Sequence, residues 1–186
     1  MTLVIYLVVL ILVVLLWQIG VILIENRFKS RQYEAATHCA EIKKKPLLIA
    51  GGPWGVKPYR YWLRMPAHGN GDVCLDIDRR ALRGHPYAVV ADITSIPFKD
   101  KSFGAVFASH ILEHLPTVQD AESALNELKR VADGVFIVYP SKQSILAWVK
   151  LEHHLWLWQE GNAMCLEQRG KPAGMPVRKC ILPPVV

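Results

Sequence analysis

The sequence predicts an α/β protein: a doubly wound, mainly parallel sheet preceded by a single transmembrane helix. Three observations predict it. From Thr2 to Ile24 the chain carries no charge, and only Thr2, Gln18 and Gly20 interrupt the apolar run. After that run, short apolar stretches alternate with segments of helical periodicity, the order of a parallel sheet covered on both faces. Glycines and aspartates collect at the ends of those stretches.

About 20 apolar residues at ~1.5 Å each cross a bilayer core. A cleaved signal peptide would need a basic start, an apolar core of about 7 to 15 residues and a small-residue exit. This run has no basic start, is longer, and leads into Glu25-Asn26-Arg27. A helix apolar on every side has no polar face for a small domain to show to water. Residues 1–24 therefore read as a single-pass membrane anchor. Arg27, Lys29, Arg31 and Lys43 to Lys45 follow it, so the positive-inside rule places the C-terminal domain in the cytoplasm. Residues 25–45 read as a basic juxtamembrane linker, solvated or lying against anionic headgroups. Residues 46–186 make one domain.

The net charge of +6 is spread along the soluble part, without an Arg-rich block or interleaved aromatics, so no nucleic-acid partner is expected. Cys39, Cys74, Cys165 and Cys180 form no C-x-x-C pair. Free thiols agree with a reducing cytoplasm.

The elements follow in order. PLLIAGG (46–52), bounded by Pro and Gly, is a buried parallel strand. A helix is expected near Val56 to Met65, then a turn at HGNG. VCLDID (73–78) and YAVVAD (87–92) are strands closed by acid, and SFGAVFAS (102–109) is a fourth. Thr117 and Asp120 form a capping box for a helix whose Val118, Ala121, Leu125, Leu128 and Ala132 share one face, ended by Asp133-Gly134. GVFIVYP (134–140) is a fifth strand. An amphipathic helical segment is expected from Ser144 to Trp158, and two weaker strand-like runs, NAMCLEQ and VRKCIL, flank a Gly- and Pro-rich turn.

Right-handed crossovers put the carboxyl ends of all these strands on one edge. There a Gly-rich turn lets backbone approach a ligand, an acid after the second strand accepts from ribose hydroxyls, and an acid after the third takes an exocyclic amine. The same glycines would serve a bare tight turn, and the same acids a helix cap. No G-x-x-x-x-G-K-[ST] loop is present, and a dinucleotide fingerprint begun at Gly51 fails at Pro53 and Val56. A nucleoside without pyrophosphate fits better.

The string ADITSIPFKDKSFGAVFASHILEHL, with LKRVADGVFIVYP after it, resembles the class I S-adenosylmethionine-dependent methyltransferases, type 11-like, over about Leu47 to Tyr139. The resemblance implies a Rossmann-like fold and S-adenosylmethionine as cofactor. It implies Gly51, Gly52 and Gly55 at the methionine end and Asp76 at the ribose, with Ile77 beside it. It further implies Asp92 and Ile93 at the adenine, and Ser109 and His110 along the cofactor's side. Ile49, where the group often has an acid, Pro53, in place of a glycine, and Gly104, in place of Asp, depart from the pattern. With an anchor, the implied function is methyl transfer to a small or membrane-associated, lipid-like acceptor. The alternative is an inactive, membrane-tethered binding or sensor module, which those departures favour.

HILEH (110–114) also has the H-x-x-E-H form of a zinc motif. In the resembling family the same letters open a helix without a metal, and Pro116 breaks the long helix a protease would need, so no metal is expected. No catalytic residue is dictated. His114, Tyr139, His153 and His154 are candidate acceptor-side groups, and Trp54, Tyr59, Trp62, Trp148, Trp156 and Trp158 either line an apolar pocket or join the core.

Overall fold

A computed structural model describes residues 2–170 and 178–181. Helix α1 (Thr2–Lys43) is one continuous helix of 42 residues. It is long and apolar enough to cross a membrane. Of its residues up to Ile24 only Val21 is buried, whereas Ala36 and Ala40 are buried under the domain. The segment expected as a linker is thus helical to Lys43. The reason is packing: its Tyr33, Ala36 and Ala40 lie in one cluster with Leu47, Ile49, Ala105, Phe107 and Phe136 of the sheet.

Strands β1 (Leu47–Ala50), β2 (Val73–Asp76), β3 (Ala88–Val90), β4 (Phe103–Ser109) and β5 (Ala132–Val138) form one parallel sheet in the order β3-β2-β1-β4-β5. The order reverses at β1, the switch point of a doubly wound, Rossmann-like sheet. A short helix α2 (Pro58–Trp62) stands between β1 and β2, and 3-10 turns cover Arg79–Leu82 and Leu112–His114. The C-terminal half of α1 covers one face. Helix α3 (Val118–Val131) covers the other, together with a second, antiparallel sheet of β6 (Leu155–Glu160), β7 (Ala163–Gln168) and β8 (Arg178–Ile181).

Three local expectations are corrected. The capping box of Thr117 and Asp120 is present, but α3 ends at Val131 and the chain enters β5 directly. Asp133 and Gly134 lie inside the strand because α1 passes over them: Asp133 receives the Lys45 ammonium at 2.8 Å, and a Cβ on Gly134 would stand 2.8 Å from Cys39 Sγ. The helix expected over 144–158 is only α4 (Ile145–Val149), and LWLW then alternates as strand, with Leu155 and Leu157 buried in the core. Finally, Cys165 and Cys180, partners across β7 and β8, form a disulfide, leaving Cys39 and Cys74 free. Cross-strand register brings the two sulfurs together, which their spacing in sequence could not reveal. The Gly- and Pro-rich turn between β7 and β8 falls, over 171–177, outside the described residues.

The direction of α1 is the fact that matters most for the site. Just past its end, Lys45 bonds to Asp133 and to the Lys101 carbonyl at the start of β5 and β4. Further back, Glu25 accepts from the Ser141 amide at 2.7 Å just past β5, and Gln18 bonds to Gln143 and Ile145. The helix therefore runs antiparallel to the strands. Their carboxyl ends lie at the end of the domain from which the apolar half of α1 emerges.

Candidate functional site

The carboxyl edge is assembled by register. Ala50 pairs with Leu75, and Asp76 with Val90, so the residues after β1, at the end of β2 and after β3 stand one strand apart. The Gly51 amide donates to the Leu75 carbonyl at 2.8 Å, and the Ala91 amide to the Asp76 carbonyl at 3.2 Å. The Asp76 carboxylate closes the loop: Oδ2 accepts from the Gly52 amide at 2.6 Å and Oδ1 from the Asp78 amide at 2.7 Å. A carboxylate has about four lone-pair positions, so two amides leave acceptor capacity for hydroxyls. Ile77 beside it is exposed.

Asp92 accepts at Oδ1 from the Thr94 amide and hydroxyl, both at 2.8 Å, which shapes the turn after β3. Ile93 is buried in the core. The loop carrying both is stapled to α3: Glu127 accepts from the Ile96 amide at 2.8 Å, and Arg130 donates to the Ile96 and Phe98 carbonyls and to Asp100. The Arg130 guanidinium holds the Glu127 carboxyl below the usual carboxylate range. At the end of β4, Ser109 is fully buried with its hydroxyl unpartnered, and His110 adopts a left-handed backbone with φ 56°. That conformation is strained for a residue with a Cβ, and such strain gathers at functional sites.

Two of the three glycines of the loop stand where a side chain would meet neighbours. A Cβ on Gly51, where φ is 89°, would meet the tip of Ile111 at 2.8 Å, and one on Gly52 would meet the Ala81 carbonyl at 2.5 Å. The Ile111 tip is a flexible side chain that can swing aside, whereas the Ala81 contact is backbone. Gly52 thus has a packing reason to be glycine. Gly55 (φ 61°) meets nothing nearer than 3.7 Å. The residues suit an adenosyl group at the ribose and adenine end, through Asp76 and Asp92.

The departures from the family pattern also acquire causes. Ile49 is core beneath α1. A Cβ on Gly104 would stand 2.8 Å from Ala40 Cα, so an aspartate there would collide with the docked helix.

Of the acceptor-side candidates, His114 and His153 meet edge to face at 4.8 Å, Tyr139 is half-buried with its phenol pKa raised by that burial, and His154 is exposed. Trp156 joins the core while Tyr59, Trp62 and Trp148 are exposed. Sequence reasoning missed His68, which a turn string HGNG does not distinguish from a solvent residue. Its ring lies 6.3 Å from that of His110, and burial, with Lys29 and His110 nearby, pushes its imidazole down to about 3.

Comparison with known proteins finds a partial match by sequence and distant ones by structure. Residues 62–138, less than half of the chain, match the family model described as a methyltransferase domain. The match includes Asp76, Ile77, Asp92, Ile93, Ser109 and His110 but not Gly51, Gly52 or Gly55. No curated protein matches the chain by sequence. Among solved structures, the PH0226 protein of Pyrococcus horikoshii is 17% identical, with 82% of this chain and 75% of that one covered and a TM-score of 0.43. The N-methyltransferase NodS of Bradyrhizobium japonicum, in complex with S-adenosyl-L-homocysteine, is 13% identical, with 77% and 81% covered and a TM-score of 0.38. The matched segment runs from the end of α2 to the end of β5, so four of the five strands of the switch-point sheet lie in a stretch similar to a methyltransferase domain.

Proposed function

We propose that the protein transfers a methyl group from S-adenosylmethionine to a small or membrane-associated, lipid-like acceptor, from a domain held on the cytoplasmic face of a membrane. The observation that carries this reading is the carboxyl edge itself, where Asp76 ends β2 and Asp92 follows the neighbouring β3, beside the glycine turn that Asp76 holds. When bound, S-adenosylmethionine supplies an activated methyl group on a sulfonium, whose displacement leaves a neutral thioether. The protein's own task is alignment: Asp76 takes ribose hydroxyls, Asp92 the adenine amine, and the end of β4 flanks the ligand. Holding donor and nucleophile at near-attack distance is worth roughly 7 kcal/mol or more.

The membrane-associated acceptor is supported by the direction of α1, whose apolar half leaves the domain at the end where the carboxyl edge lies. Gln18 binds the start of α4 while Ile19, Ile22, Leu23 and Ile24, further along α1, are still exposed and apolar. Helix α4 therefore sits level with the apolar run, and its Leu146, Trp148 and Val149, with Leu151 beyond, are exposed. Such a set suits the headgroup boundary. Basic residues after the span support the cytoplasmic side.

One observation favours the second reading, a tethered module without turnover: the glycine loop lies outside the residues that match the methyltransferase-domain model. Incubating the full chain in detergent with methyl-labelled S-adenosylmethionine and membrane extract separates the two. Label appearing in a lipid-soluble product supports the enzyme; binding of the cofactor without product supports the module.

A further inference from the structure

Glu113, set aside above as a family letter, has surroundings that do not satisfy it. It is 1% exposed, and neither carboxylate oxygen accepts a hydrogen bond. His153 is 4% exposed, and neither ring nitrogen has a partner. Buried polar groups are nearly always hydrogen-bonded, and an orphaned carboxylate is the costliest exception. Two such groups side by side call for a ligand that both can hold.

We propose that Glu113, His114 and His153 bind one divalent transition-metal ion of the zinc class. One donor atom from each lies within 4.8 Å of the others. Around a tetrahedral ion with bonds of about 2.1 Å, donors stand about 3.4 Å apart, so small side-chain rotations close the set. The backbone already holds the ligands: Glu113 and His114 share the 3-10 turn, and the His154 amide donates to the Glu113 carbonyl at 2.7 Å, fixing the His153 segment against it. His114 Nδ1 lies 3.1 Å from the Glu152 carbonyl. A carbonyl only accepts, so Nδ1 carries the proton and Nε2 keeps the lone pair, the orientation ligating histidines adopt.

Two imidazoles and a carboxylate form the donor set of zinc sites that keep a position open. The competing account is charge balance without a metal. His110 Nδ1 lies 3.3 Å from Glu113 Oε1 outside hydrogen-bonding geometry, and Lys29, whose field reaches Glu113, donates to the Ala67 carbonyl instead. Neither provides for His153. Among the described residues a second group, Glu160, Cys165 and Cys180, has metal-binding composition, but its sulfurs are joined to each other. The proposal does not depend on methyl transfer.

The test uses the full chain in detergent, stripped with a chelator and then titrated with Zn2+ and, separately, Co2+. One zinc per chain is expected, with visible Co2+ bands of a low-coordinate nitrogen and oxygen site and no thiolate charge-transfer band. Glu113→Gln and His153→Gln should each weaken binding at least as much as loss of an outer partner, ~10- to 100-fold, and Cys165→Ser/Cys180→Ser should retain the ion. The cobalt spectrum of the unaltered chain remains readable if either ligand variant fails to fold. No uptake by the stripped chain, a thiolate band, or unchanged binding in folded Glu113→Gln and His153→Gln would each overturn the proposal.

Discussion

The Asp76 carboxylate accepts the Gly52 amide at 2.6 Å and the Asp78 amide at 2.7 Å, so one side chain holds both the loop after β1 and the turn after β2. Asp76→Ala should release both. Hydrogen bonds to charged groups contribute about 1.5–3 kcal/mol each, and hydrogen exchange at the Gly52 and Asp78 amides should quicken by an order of magnitude or more. Unchanged protection at both amides would mean that the carboxylate does not organise the loop.

Gly104 lies directly beneath Ala40, where an added Cβ would stand 2.8 Å from helix backbone. Gly104→Ala should therefore lift α1 from the sheet and cost about 1–3 kcal/mol, the usual penalty of overpacking. Chemical denaturation in detergent would measure it, and a neutral outcome would place α1 elsewhere.

Glu127 and Arg130 staple the loop that carries Asp92 and Ile93. The Glu127 pKa is lowered, chiefly by hydrogen bonds from Arg130, with the Ile96 amide adding to the effect against burial. Its stabilisation is full above the unfolded glutamate pKa, about 4.3, and is lost as pH falls through the lower folded value. Glu127→Gln should melt earlier than the unaltered chain at pH 7, and the gap should narrow as the solution is acidified into that window. A gap that widened on acidification would contradict the assignment.

The disulfide and the basic residues after the span pull in opposite directions. Cytosolic thiols stay reduced, whereas disulfides persist in oxidising compartments. The proposed cytoplasmic placement expects all four cysteines to be alkylated when intact cells are acid-quenched and then denatured, with Cys165 and Cys180 pairing only after lysis. Protection of that pair in the quenched sample would put the domain on the other side.

The sheet was legible because its evidence is local: each strand is a short apolar run, the first three closed by Gly or Asp, and the box of Thr117 and Asp120 announces α3. What was not legible depends on contacts distant in sequence. Nothing in Arg27 to Lys45 alone says that Tyr33 meets Phe107 or that Ala36 and Ala40 join the core beneath. The same helix explains why Asp133 and Gly134 are strand residues and why Gly104 is small. LWLW has a strand's alternation but follows a helical start, and register alone joins Cys165 to Cys180. At the site, Asp76 and Asp92 were readable as strand-terminal acids. His68 was not, and Glu113 was masked by a family string whose letters need no metal.

The central claim is that Asp76 and Asp92 frame an adenosyl site. Isothermal titration of the full chain in detergent with S-adenosylmethionine and S-adenosylhomocysteine tests it most directly. The account predicts saturable heat at one site per chain for both ligands, abolished or weakened roughly 10- to 100-fold by Asp76→Ala, as the loss of a charged hydrogen bond implies. Absence of heat with the unaltered, folded chain, or equal affinity in the Asp76→Ala variant, would contradict it.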